Sequence, residues 1–113
     1  KATLLFVTLN KSDKDFSPST QYNDYLINEH YFHWQSQNTD SHQNNGGQRY
    51  TKQADTQNKI ILFVREEKKD GYGNTCPFHC FGLVEYMSSH DDFPMNITWK
   101  LQQPAMAQYV KAI

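Results

Sequence analysis

The chain has 113 residues, a formal net charge of -1, and one residue in five charged. That length supports one compact core and excludes two, and the near-zero charge excludes a protein that holds nucleic acid by bulk electrostatics alone. Nothing resembles a signal peptide, and no apolar run is long enough to span a bilayer, so a cytoplasmic protein without a membrane partner is expected.

The sequence begins at Lys1 and runs at once into the apolar stretch Ala2 to Leu9, ATLLFVTL, which reads as a strand buried on both faces. This start suggests a piece excised from a longer protein, with residues 1–113 as a single domain. Next, in SPSTQYNDYLI, Ser17 stands where a helix cap belongs and Pro18 at the first helical position. Tyr22, Tyr25 and Leu26 follow at one-turn spacing, so a short helix is predicted here.

The row from Tyr31 to Ser36 reads as a strand on which His33, Gln35 and Gln37 face one way and Phe32, Trp34 and Ser36 the other. One face is suited to a core and the other to displaying amides. Residues 38–48, NTDSHQNNGGQ, have no periodicity and read as a long flexible loop. KIILFVRE at 59–66 is a second strand of the doubly buried type. After the turn signals of DGYGN come HCFGLVEYM, 79–87, and MNITWKL, 95–101, where Met95, Ile97, Trp99 and Leu101 alternate with Asn96, Thr98 and Lys100. A second short helix is expected where Pro104 opens AMAQYVKAI. Five strands with little helix predict a mainly β (α+β) domain, a compact, closed or nearly closed small β-barrel with one or two short helices, because closure removes exposed sheet edges.

Catalytic signals are sparse. No phosphate-cradling glycine loop, nucleophile elbow or HExxH is present, so the chain reads as a binding domain and no catalytic residue or cofactor is assigned. His90-Asp91-Asp92 offers metal-ligand types, but beside Ser88, Ser89 and Pro94 it has the composition of a surface turn. Cys76 and Cys80 in CPFHC are too few for a structural zinc site, and Cys80, inside HCFGLVEY, reads as a buried reduced thiol.

Binding chemistry is better represented. Gln and Asn side chains pair with base edges, and Tyr or Trp rings stack on a base taken out of a duplex. Trp34 is therefore either a ring wall of such a pocket or a core aromatic. Asp24 either accepts a hydrogen bond from the exocyclic amine of cytosine or is a solvated residue of the predicted helix, and the two tyrosines around it form either a packing face or a pair of pocket walls. Candidate phosphate-binding cations are Lys11, Arg49, Lys52, Lys68 and Lys69.

Taken in order, SPSTxYxDY, FHWQSQ, GQRY and LFVRE make the chain resemble, over nearly its whole length, the domain found at the C-terminus of bacterial proteins that join a phospholipase-D-type nuclease to a superfamily-2 helicase, and also on HNH nucleases. The resemblance implies the specificity module of a modification-dependent (type IV) restriction enzyme, similar to SRA and other PUA-like barrels. Such a module recognises 5-methylcytosine or 5-hydroxymethylcytosine in double-stranded DNA and extrudes the base. Its partners are then modified duplex DNA and the nuclease and helicase domains of the parent protein. On this reading Tyr22, Asp24, Tyr25, His33, Trp34, Gln35, Ser36 and Gln37 are the base-binding candidates. A groove reader that does not flip the base and a module that docks the helicase are the alternatives.

Overall fold

The computed structural model describes residues 2–10 and 24–111. They form one six-stranded sheet curled into a half-barrel, with three short helices. The strands are β1 (Ala2–Asn10), β2 (Tyr25–Leu26), β3 (Tyr31–Gln35), β4 (Lys59–Glu67), β5 (His79–His90) and β6 (Asn96–Leu101), arranged β1-β4-β5-β6-β3-β2. Only β1 and β4 are parallel. The expected mainly β architecture is present, but as a curled open sheet: β1 and β2 lie at its two edges, so the described residues do not close a barrel.

Alternation decides which face is core. On β6, Ile97, Trp99 and Leu101 are buried, and on β3, Phe32 and Trp34 join them. Leu5 and Val7 of β1 and Ile60, Leu62 and Val64 of β4 complete the same face. The reading of β1 as buried on both sides is corrected here, because Leu4 and Phe6 are 50% and 58% exposed, while on β4 the outward Ile61 and Phe63 are half-buried. On that outer face Phe6 stacks on Phe63 at 5.0 Å and meets Phe78 edge-on, while the Arg65 guanidinium lies 4.3 Å above the Phe78 ring. These rings shield one another rather than a second layer.

Cys80 is likewise exposed rather than buried, and both cysteines are free thiols. The cause is the irregularity in the β4–β5 register, which sets Cys80 opposite the outward Phe63 and sends Phe81 into the core. Among the described residues no cluster of three metal-ligating side chains forms, at CPFHC or at His90-Asp91-Asp92.

The predicted first helix is also corrected where it can be compared. Tyr25 and Leu26 are strand residues paired with His33 and Phe32. The turn that follows is closed by Asn28, whose side-chain oxygen accepts the backbone N–H groups of His30 and Tyr31, so ladder pairing overrides the one-turn spacing. Ser17 to Tyr22 lie outside the described residues, as does Lys11.

The loop read over 38–48 ends earlier than expected. Asn44 caps α1 (Asn45–Thr51) by accepting the Gly47 N–H at 2.9 Å. Glycine is required at 47 because a Cβ there would run into the Ser41 carbonyl oxygen and the Met95 sulfur. That close approach lets Tyr50 reach the core between Trp34 and Trp99. α2 (Gln53–Thr56) is tied to β5 by Gln53, whose amide donates to the Val84 carbonyl and accepts the Tyr86 N–H. The helix expected after Pro104 is α3 (Ala107–Val110), anchored by buried Tyr109.

The DGYGN turn rests on Asp70, which accepts the N–H groups of Tyr72 at 2.8 Å and Asn74 at 3.0 Å. These bonds, that of Asn74 foremost, hold its carboxyl below the ordinary value of 3.8. A carboxyl depressed on folding contributes stability that is present above its unfolded pKa and is lost as pH falls through the folded one. An NMR titration of Asp70 should therefore show a midpoint under 3.8 and loosening of the turn only below it. A midpoint at the ordinary value would show that the turn is not held this way.

Candidate functional site

The polar face of β3, turned away from the core, meets the polar face of β6. Their register sets Gln35 opposite Asn96 and His33 opposite Thr98, with Tyr25 beside His33 on the other side. Tyr25 lies flat on the His33 ring, with centroids 4.5 Å apart and planes 18° from parallel. His33 is buried beneath it, whereas Tyr25 is 45% exposed.

The Asn96 side-chain oxygen collects two contacts, from His33 Nε2 at 3.1 Å and from the Gln35 amide at 3.0 Å. With its proton on Nε2, His33 is a donor in this arrangement. The Asn96 amide in turn donates to the Asp91 carboxylate at 3.3 Å. Asp24, itself buried, accepts the backbone N–H of Gln35 at 2.8 Å. The result is a ring pair lying beside a row of linked amides and carboxylates. A surface of this kind offers a flat apolar face for stacking and several donors and acceptors for the edge of a planar polar ligand.

The predicted site residues divide in two. Asp24, Tyr25, His33 and Gln35 are brought together. Trp34 and Ser36 point into the core instead: Trp34 packs edge-on against Tyr50 at 5.0 Å, and Ser36, fully buried, accepts the Met95 N–H at 2.9 Å. Gln37 is exposed just past the end of β3. Asn96 was not singled out from the sequence, although its place on the polar side of an alternating strand was visible; only the strand pairing puts it against Gln35.

The candidate cations stand elsewhere. Arg49 and Lys52 are exposed on and just after α1, which packs on the core side through Tyr50, and the Arg49 guanidinium lies 4.9 Å from the Tyr50 ring centre. Burial raises the Tyr50 hydroxyl pKa, and the neighbouring Arg49 charge opposes that. Lys68 and Lys69 follow the end of β4 toward the 70–74 turn. Lys100, on the outer face of β6 opposite Tyr31, is exposed on the same side as the ring pair.

Fold and surface together define a small, mainly β domain with a polar, partly aromatic outer face and a sealed aromatic core. The chain belongs to the family described as a domain of unknown function, DUF3427, whose model matches residues 1–112. No curated protein and no solved structure matches it. Among the described residues no helix is long and apolar enough to cross a membrane.

Proposed function

We propose that this domain reads a modified cytosine, 5-methylcytosine or 5-hydroxymethylcytosine, in duplex DNA, as the specificity domain of a modification-dependent restriction protein of SRA- or PUA-like type. The observation that carries the proposal is the half-exposed Tyr25 stacked on His33 next to the Gln35–Asn96 pair. An extruded base stacks on the free face of Tyr25, and its edge meets Gln35, Asn96 and the Asp24 carboxylate. Trp34 and Ser36 support the strand from inside and are not part of this reading surface. Lys100, exposed on the same face as Tyr25, holds a phosphate of the flanking duplex, whereas Arg49 and Lys52 on the core side and Lys68 and Lys69 past the end of β4 contribute only where the duplex extends beyond that face; nuclease and helicase domains of the parent protein supply cleavage and ATP hydrolysis.

The test is a binding panel of duplexes identical except for one base: cytosine, 5-methylcytosine, 5-hydroxymethylcytosine or N6-methyladenine. Preference for a modified cytosine is expected, with unquenching of a fluorescent base analogue at that position. Preference without unquenching would replace extrusion by groove reading, and failure to bind any modified duplex would favour a docking module. Because the domain carries a net charge of only -1 and scattered cations, affinity should fall modestly with salt. A slope equal to that of a protein making about ten phosphate contacts would overturn the assignment of a small phosphate footprint.

A further inference from the structure

The end of β5 and the β5–β6 connection, with His42 from the loop before α1, carry a second constellation on the opposite face of the sheet from the ring-and-amide surface, at the margin of the core, where Tyr86 meets Trp99 edge-on. His42 Nδ1 lies 2.8 Å from Asp92 Oδ1, and the His42 backbone N–H donates to the same oxygen at 2.7 Å. On the other side of the ring, His42 Nε2 lies 2.6 Å from Ser89 Oγ, and Ser89 Oγ lies 2.6 Å from the Tyr86 hydroxyl. The proton roles follow from the carboxylate. Asp92 accepts from Nδ1–H; in the tautomer that leaves a lone pair at Nε2, Ser89 donates to that lone pair and Tyr86 to Ser89.

The backbone is shaped around these contacts. A register shift between Tyr86 and Ser88 interrupts β5 just before Ser89. Asp92 stands between two non-glycine residues in left-handed conformation, Asp91 at φ 63° and Phe93 at φ 55°. Bulges and left-handed non-glycine residues cost energy and gather where a side chain has to be aimed. The groups remain within reach of solvent, the His42 and Asp92 side chains being 35% and 44% exposed. Tyr86 also lines a pocket of about 440 Å³ between α2 and β5, whose apolar lining includes Ala54, Leu83 and Val84.

We propose that Ser89 is a nucleophile for small activated acyl esters, with His42 as its general base and Asp92 as the positioning residue that fixes the His42 tautomer. In the acylation step the Ser89 Oγ–carbon bond forms as the bond to the leaving alkoxide or phenoxide breaks. The hydroxyl proton passes to His42 Nε2 and from there to the leaving group. Water then attacks the acyl-serine, giving its proton to His42; the acid departs and the proton returns to Ser89. A fluorophosphonate reacts at the same oxygen, forming a phosphorus–oxygen bond and expelling fluoride, while His42 takes the proton.

The experiment is incubation of the folded chain with an alkyl fluorophosphonate, followed by peptide mass mapping and by hydrolysis of p-nitrophenyl acetate. A single adduct on Ser89 is expected, absent from Ser89→Ala and formed at least tenfold more slowly in His42→Gln. Asp92→Asn should slow it similarly and abolish the downfield Nδ1–H proton signal of His42, which a merely structural role for Ser89 would not link to labelling. Ser89→Ala removes only one hydroxyl, and its thermal melt shows whether the fold persists. If Ser89 is labelled no faster than its neighbour Ser88, or equally fast in His42→Gln, the constellation is a structural tie and the proposal fails.

Discussion

Trp34→Ala should cost about 3–5 kcal/mol of folding stability, the cost of removing a large core ring. Trp34 is 9% exposed and lies 5.0 Å from Tyr50 and 6.2 Å from Trp99, so it joins the strand face to α1 as well as to β6. Domains of this size are stable by only about 5–15 kcal/mol, so the variant approaches the unfolding threshold at ordinary temperatures. Denaturant titration measures the loss directly. Binding should be measured at low temperature, where the folded fraction recovers, and preference for a modified duplex should then equal that of the parent chain. A variant that melts normally but loses that preference would return Trp34 to the reading surface and show that its packing against Tyr50 contributes little.

Tyr25→Ala should have the opposite profile, weakening binding to modified DNA by about 1–3 kcal/mol, roughly 5- to 150-fold, with little change in the melt. The reason is exposure. Tyr25 is 45% exposed, and it is Leu26, its neighbour on the two-residue strand, that enters the core. Tyr25→Phe keeps the ring and should bind almost as the parent does. Asp24→Asn probes a different part of the surface: it retains an oxygen able to accept the Gln35 N–H but places a donor where the second carboxylate oxygen was. It should therefore reduce discrimination between bases more than it reduces stability. Normal binding by Tyr25→Ala would remove the stacking face, and with it the proposed mode of reading.

The contrast between these residues also separates what was legible in the chain from what was not. The polar–apolar alternation of 95–101 and of the 31–36 row is local information, because successive strand side chains point to opposite faces whatever lies across from them. It was therefore enough to assign both strands and to put Phe32, Trp34 and Ser36 on one side and His33 and Gln35 on the other. It left open which side was the core, and with it the role of Trp34, until Tyr50 and Trp99 closed over that ring. Local pattern failed where a long-range pairing outweighed it. One-turn spacing around Tyr25 was overridden by the ladder with β3, and the apolar runs of β1 and β5 did not reveal that Leu4, Phe6 and Cys80 would lie on an outer face.

Composition and alternation by themselves determined a mainly β fold, most of its strands, and the amide-bearing face of β3. Tertiary structure alone decided the half-barrel in place of closure, the meeting of Gln35 with Asn96, and the alignment of His42 with Ser89 and Asp92. The physical reason is that hydrogen bonds of 2.6 to 3.0 Å between residues 47 to 61 positions apart depend on strand register and loop path. Those are set by the burial of the whole apolar face at once, and no short stretch of sequence contains that sum.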